Sequence, residues 1–282
     1  MKRRTFTVEK PSRIEAVLRG ALALARDEAI ALVDRGAVYV DGKRAKDPAA
    51  RVAEGVKVMV VLEESGEAVT APAPKAPQLV VLYEDAEVLA VNKPAGVTAQ
   101  PTPGRVGDSL VDLATAYLRK QAGLVHRLDR ETSGVTLFGK TPRATSALAA
   151  AFREGRAKKE YLAVTNSGLP SSGVIDLPLS KDPSRPGRWR ASKAANGIPA
   201  ETHFTRLCDN GAVAVVALFP MTGRTHQLRA HLTGIGFPIV GDRLYGGAEG
   251  PRCLLHAHCL EIDGLSIEAP VPEELARYLP AT

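Results

Sequence analysis

Between Leu62 and Leu79 the chain reads EESGEAVTAPAPKAPQ, a stretch rich in Pro, Ala and Glu with neither a two-residue nor a 3.6-residue apolar period. Such a segment has no face to bury. The chain is therefore expected to fold as two bodies, 1–62 and 79–282, joined by a semi-rigid linker over 63–78. Charge divides at the same place. Residues 1–62 hold 13 basic and 8 acidic side chains, and the remainder holds 24 and 23. A small basic module on a nearly neutral body suits a polyanion, and nucleic acid is the common one. The other reading of the excess is a solvated charged surface.

Composition excludes several classes. With 45% hydrophobic and 24% charged residues the usage is that of ordinary globular protein, not of a disordered, collagenous or coiled-coil chain. No apolar run approaches the roughly 20 residues of a membrane span, and the basic start is followed by no apolar stretch of signal-peptide type, so a cytoplasmic protein without a membrane partner is expected. The 3 cysteines form no paired framework.

In the first body, Ile14, Val17 and Leu18 share one helical face over Ser12 to Gly20. Asp27 can cap a second helix that carries Ala29, Ile30 and Val33 and stops at Gly36. Val38 and Val40 alternate into an Asp41-Gly42 hairpin turn, and Val52, Val56, Val58 and Val60 alternate again. The run RIEAVLRGALALARDEAIALVDRGAVYVDGKRAKDPAARVAEGVKVMV resembles the alpha-L RNA-binding module shared with ribosomal small-subunit protein S-four. That resemblance implies a small α/β module with Arg26, Arg35, Lys43 and Arg44 as candidate phosphate contacts; the alternative is exposed helix and turn charges without a ligand.

Beyond the linker, apolar runs at Leu79–Tyr83 and Val88–Val91 flank a Glu84-Asp85-Ala86 turn. Thr141 and Pro142 open a helix in which Ala144, Leu148 and Phe152 recur at four-residue spacing until Gly155. Tyr161–Val164, Val213–Phe219 and Cys253–Leu255 are further strand candidates. Strands outnumber helices without alternation, which predicts an α+β fold with a mixed, mainly antiparallel sheet.

Three motifs are weak. Gly134-Val-Thr-Leu-Phe-Gly139-Lys140-Thr141 matches the phosphate-loop pattern, but its inner residues read as a strand, so a strand-to-helix junction is expected instead. Cys253, His256, His258 and Cys259, with His226 and His231, lack paired zinc-knuckle spacing. His256 and His258 are expected to alternate on a strand, and His226 to brace a turn locally. Ser133 lacks a nucleophile elbow.

The fourth motif is GLVHRLDRETSG, Gly123 to Gly134. An aspartate between arginines, Asp129, is expected to be ionised and to have a cationic partner, as either a structural ion pair or a catalytic group. The run TGRTHQLRAH, Thr222 to His231, supplies guanidinium groups from far along the chain, and Lys158-Lys159-Glu160-Tyr161 brings a tyrosine out of a basic turn. With NKPAGVTAQPTPG and LLHAHCLEI, these segments resemble the RluA-type pseudouridine synthases, in that family's order, over most of the long body.

The resemblance implies an isomerase that converts uridine to pseudouridine in structured RNA, without cofactor or metal. Large-subunit ribosomal RNA is the expected partner, transfer RNA the alternative substrate, and a silent RNA-binding or ribosome-assembly protein the alternative role. A monomer is expected. By the same resemblance Asp129 acts on the sugar, Arg229 pairs with Asp129, and Tyr161 lies against the flipped uracil and could remove its last ring proton. Arg127 enters the vacated stack. Leu255 packs on the opposite face of the base, or is an ordinary core residue. Asn92, Lys93 and Arg224 are further candidate RNA contacts, although Gln100-Pro101 replaces the histidine that many members carry before the proline. Ser184 to Gly197, with Arg185, Arg188, Trp189, Arg190 and Lys193, reads as a long polar loop, either an RNA contact or a solvated segment.

Overall fold

A computed structural model of the chain describes residues 2–34, 36–45, 47–62, 78–101, 109–193 and 197–280. The candidate contact Arg35 and the linker residues 63–77 lie outside that set. The chain forms two compact units, Met1–Gln78 with Gln100–Ala116, and Leu79–Ala99 with Tyr117–Thr282. Residues 100, 101 and 109–116, assigned from sequence to the long body, group with the first unit.

The first unit contains β1 (Lys2–Thr7), β2 (Ser12–Arg13), α1 (Ile14–Leu22), α2 (Arg26–Asp34), β3 (Val38–Val40), β4 (Lys43–Arg44), β5 (Arg51–Val52) and β6 (Lys57–Leu62). Its main sheet has the order β1-β6-β3-β4. Ile14 and Leu18 of α1 bury against Ala29, Leu32 and Val33 of α2 and against Val38, Val58 and Val60. The first helix starts two residues later than expected, because Ser12 and Arg13 pair with Val52 and Arg51. Asp27 sits in the first turn of α2 instead of capping it, and the Ala25 N–H donates to Glu28 Oε2 at 2.8 Å. Gly36 ends the helix with φ 68°, a left-handed conformation that costs glycine little. Asp41 and Gly42, with φ 45° and 78°, make the expected hairpin turn. Arg26 and Lys43 are exposed; Arg26 Nε lies 3.8 Å from Glu15, and Arg44 Nη2 reaches the Tyr39 hydroxyl at 3.5 Å.

The chain continues with β7 (Val80–Glu84), β8 (Val88–Lys93), α3 (Leu110–Leu118), β9 (Gly123–Leu124), β10 (Ser133–Gly139), α4 (Pro142–Arg153), β11 (Lys158–Asn166), β12 (Ser172–Asp176), β13 (Leu179–Lys181), β14 (Trp189–Ala191), β15 (Glu201–Asp209), β16 (Val213–Pro220), α5 (Gln227–Gly234), β17 (Leu255–Ile262), β18 (Leu265–Glu268) and α6 (Glu273–Ala276). A 10-stranded sheet runs β12-β15-β16-β11-β17-β10-β8-β7, with β18 on β17 and β9 on β10. Its pairings are antiparallel except β10 with β17, where Ser133 faces His256 and Gly134 faces Ala257. The expected mainly antiparallel α+β fold is present. One apolar cluster packs α5 on β11, β15 and β16; a second packs α4 on β10 and β17.

Two local signals fold as expected. Asp85 accepts from the N–H groups of Glu87 and Val88 at 2.7 and 2.6 Å, closing the β7–β8 turn. Thr141 Oγ1 caps α4 by accepting from Ala144 N at 3.1 Å. The phosphate-loop lookalike is the junction it was expected to be: Gly134 to Gly139 is buried strand, and Lys140 Nζ pairs with Glu84 at 2.6 Å. Gly134, at φ 118°, lies so close to the Ala257 carbonyl that a Cβ would collide with it. The segment Ser184 to Gly197, expected as a loop, contains β14, which pairs with β13 as a hairpin; residues 194–196 lie outside the described set. Among the described residues no helix is long and apolar enough to cross a membrane.

Candidate active site

The loop between β9 and β10 carries Asp129, and its two ends are pinned. His126 Nε2 accepts from the Leu137 N–H of β10 at 3.0 Å, and its ring stacks on Phe152 of α4 with centroids 4.5 Å apart. Burial pushes that imidazole down to about 3, so it is neutral and can accept. At the other end the Thr132 N–H donates to Asp129 O at 3.1 Å, and Arg130 O accepts from Gly96 N at 2.8 Å. Between the pins Leu128 is buried, Arg127 and Arg130 face out, and the Asp129 side chain keeps 20% of its surface exposed. Arg130 is engaged by Glu131 at 2.9 Å, so the arginines beside Asp129 in sequence are not its partners.

Lys93 was expected to contact RNA. It is 0% exposed, and its Nζ donates to the carbonyls of Pro94, Val97 and Arg130 at 3.0, 2.9 and 3.1 Å. An ammonium with its three donors spent on backbone is a brace for the Asp129 loop and cannot reach a phosphate. Burial lowers its pKa to about 7, with Asp129 acting in the opposite sense.

The segment 222–231 is organised around Gln227. Its Oε1 accepts from Thr222 Oγ1 at 2.7 Å and Arg224 N at 3.0 Å, and its Nε2 donates to Glu201 O at 2.9 Å and Thr202 Oγ1 at 3.0 Å. This clamp sets the entry into α5, with His226 at φ 55° just before it. His231 is buried and donates Nε2–H to Leu177 O at 2.9 Å, with Nδ1 on Thr202 Oγ1. It is structural.

Arg229, one helical turn on, does not pair chiefly with Asp129. Its Nε and Nη2 grip Asp242 at 2.6 and 2.8 Å in a bidentate fork, and only Nη1 faces Asp129 Oδ2, at 3.8 Å. Both members of the fork are buried, Arg229 5% and Asp242 1% exposed. Burial works against the guanidinium charge and Asp242 outweighs it, leaving the pKa above its ordinary value. The expected Arg229–Asp129 ion pair is present at 3.8 Å, but it is secondary to the fork with Asp242. Arg229 is oriented by Asp242 and lends Asp129 one remaining N–H edge. His226 Nε2 lies 3.9 Å from the same Oδ2, where sequence reasoning gave this residue only a local bracing role.

Asp129, His226 and Arg229 line a cleft of about 710 Å³, as do Tyr161 of β11 and Leu255 of β17. Burial, and next the Asp129 carboxylate, push the Tyr161 phenol above its ordinary pKa. A phenol raised in this way stays protonated while its ring lines the cleft. Arg127 and Arg224 also line the cleft; Arg224 Nε donates to Pro199 O at 3.2 Å. Asn92 sits half-buried on β8, outside the lining. Of the histidines and cysteines, His256 bonds Ser133 Oγ at 2.9 Å, and His258 reaches Ala269 O at 3.0 Å from the same strand, as expected. Among the described residues no group of three or more potential metal ligands converges.

Sequence reasoning missed Asp242, Tyr245 and the wider contacts of His226. The available signal was Asp242 in IVGDRLYGG, a run rich in apolar residues and glycine where an acid that becomes buried needs a cationic partner.

Residues 87–233 match the family model described as RNA pseudouridylate synthase. The chain is 42% identical over 200 residues to the dual-specificity RNA pseudouridine synthase RluA of Escherichia coli K12, covering 67% of this chain and 89% of that one. It is 34% identical over 277 residues to the ribosomal large subunit pseudouridine synthase D of Xanthomonas campestris, covering 88% and 82%. The structure of human RNA pseudouridylate synthase domain containing 4 superimposes with a TM-score of 0.60 at 26% identity, over 70% of this chain and 90% of that one. With its sheet, its Asp129 loop and its GRTHQLR segment in that family's arrangement, the chain belongs to the RluA-type RNA pseudouridine synthases, which are isomerases.

Proposed function

We propose that Asp129 is the carboxylate that acts on the ribose of an everted uridine, and that the substrate is structured large-subunit ribosomal RNA. The observation that carries this reading is Asp129 at the wall of the cleft, half-buried, with Arg229 Nη1 and His226 Nε2 both on Oδ2 and Tyr161 and Leu255 lining the same space. Pseudouridine formation breaks the bond from uracil nitrogen to the anomeric carbon, turns the base and rejoins it through a ring carbon. Substrate and product have the same atoms, so the chain must supply position and charge. The anomeric carbon becomes electron-poor as its bond to nitrogen breaks. A carboxylate held beside it attacks that carbon or assists loss of the neighbouring sugar proton.

Tyr161 and Leu255, both lining the cleft, give the turned base two faces to pack against. Exposed Arg127 is placed to fill the stack the uridine leaves, which offsets part of an unstacking cost of a few kcal/mol. The basic first unit, with its helix, helix and hairpin order, acts as an S-four-like RNA grip through Arg26 and Lys43. The large-subunit substrate is supported by the Xanthomonas relative, whose match covers 88% of this chain and so extends beyond the second unit. The match to RluA covers 67%.

Mapping pseudouridines in total RNA from a deletion strain tests the substrate: loss of one or more large-subunit positions supports it, and loss confined to transfer RNA overturns it. Incubation with labelled uridine RNA and chelator, without nucleotide, tests the chemistry. Product must form; dependence on ATP or on metal would overturn the assignment.

A further inference from the structure

A chain of contacts leads from Asp129 away from the cleft. Tyr245, in the turn after Gly241, is buried, and its hydroxyl accepts the Trp189 N–H of β14 at 3.0 Å. The same oxygen lies 3.1 Å from His226 Nδ1, and the two rings meet edge-on at 5.7 Å. The guanidinium groups of Arg229 and Arg188 sit over the Tyr245 ring at 4.9 and 5.2 Å, so the ring is held on both its polar and its aromatic sides. A phenol that already accepts from an N–H still has its own proton to give, and Nδ1, at 3.1 Å, is placed to accept it. A neutral imidazole accepting at Nδ1 carries its own proton on Nε2. Nε2 is the atom that faces Asp129 Oδ2 at 3.9 Å.

We propose that Tyr245 and His226 are positioning residues for Asp129: the Tyr245 hydroxyl selects the imidazole tautomer whose Nε2–H faces Oδ2. Arg229 Nη1 approaches the same oxygen at 3.8 Å, so both groups attract Oδ2 electrostatically from beyond hydrogen-bonding distance and the carboxylate presents Oδ1 to the sugar. The arrangement distinguishes the two oxygens of a symmetric group. The groups around the imidazole are Asp129 and Arg127 from the loop, Arg229 from α5, and Asp242 and Tyr245 from the turn after Gly241. Burial, the largest influence, lowers the pKa of His226 and favours the neutral ring that the tautomer requires. Because Trp189 belongs to the β13–β14 hairpin, the same hydroxyl also ties that hairpin's backbone to the carboxylate.

This inference rests on Asp129 being the acting carboxylate, so its test begins with a readout that needs no turnover. Nitrogen-15 NMR of histidine-labelled wild-type protein, with His226→Gln for assignment, should show a protonated Nε2 and an unprotonated Nδ1; the reverse tautomer overturns the proposal. Kinetics follow with Tyr245→Phe, which keeps the ring and removes only the hydroxyl. The expected result is a fall in kcat of roughly tenfold, the size of one ordinary hydrogen bond, with KM unchanged within about twofold. Adding His226→Gln should then cost less than about twofold more, because the two residues act as one unit. Wild-type kcat in Tyr245→Phe, a loss confined to KM, or independent losses that multiply would overturn the proposal. An inactive Asp129→Asn beside a fully active Tyr245→Phe sinks this inference alone, whereas an active Asp129→Asn sinks the reading beneath it.

Discussion

The first unit and the cleft of the second both carry basic side chains, and present them in opposite ways. Arg26 and Lys43 stand exposed on a helix start and a hairpin, able to follow a phosphate wherever it lies. Arg229 is 5% exposed and fixed by two hydrogen bonds to Asp242, with one N–H edge left for Asp129. An exposed charge attracts at a distance and is screened by salt; a buried, forked one acts only at the atom it faces, whatever the ionic strength. Grip and chemistry are therefore expected to fail separately.

The sharpest separation is expected at Asp129. Asp129→Asn should lower turnover by about 10³-fold or more, with RNA affinity within a few-fold by filter binding. Turnover near wild type would break the comparison. Asp242→Ala should come next. It strands a buried guanidinium, and a one-sided break of that kind costs roughly 3–5 kcal/mol in denaturant unfolding. Asp129→Asn should leave stability nearly unchanged, because Arg229 keeps Asp242. Equal losses in the two variants would show that the fork is not the main pair. Arg127→Ala should slow turnover on paired targets by about tenfold and on already unpaired ones by less; equal losses would remove its hole-filling role.

A smaller effect concerns acid. The folded His126 imidazole sits near 3 against an ordinary 6.5, so below about pH 6.5 the unfolded chain takes up a proton that the folded chain refuses. The stability this group contributes is present above pH 6.5 and is lost progressively as pH falls toward 3. His126→Gln should flatten that part of a stability-against-pH curve, and an unchanged slope would show that the ring is not buried and neutral. The smallest effect belongs to the first unit. Arg26→Gln with Lys43→Gln should reduce the salt slope of RNA binding by about 1 per lost phosphate contact, with kcat unchanged. An unchanged slope would remove this unit from the binding account.

What could be read from the sequence was local or motif-borne. The β7–β8 turn and the Thr141 cap of α4 were legible because each is closed by side chains two or three residues away. Asp129, Tyr161, Arg127 and Leu255 could be named because their motifs resemble a known family, and the cleft brings them together. The Asp129 pairing of Arg229, named through the resemblance, is present at 3.8 Å, whereas its stronger partner Asp242 was missed because only the fold brings that acid to the helix. Lys93 was misread for a related reason. A lysine in a motif that resembles the family's suggested an RNA contact, and only the packed loop shows three carbonyls surrounding its Nζ. Strand β1, KRRTFT, lacks the apolar alternation that marked β6, and it forms because β6 offers it an edge.

Gly134 joins two halves of a sheet that share almost nothing else in chain order. Asp129 hangs five residues upstream of it on one half, and Leu255 lies two residues before its partner Ala257 on the other. The missing methyl group thus acts as the spacer that gauges the jaw opening between acid and base-stacking wall. A substitution there, where a Cβ would meet the Ala257 backbone, is expected to shift the two walls and read as a defect in chemistry with every reacting side chain still present.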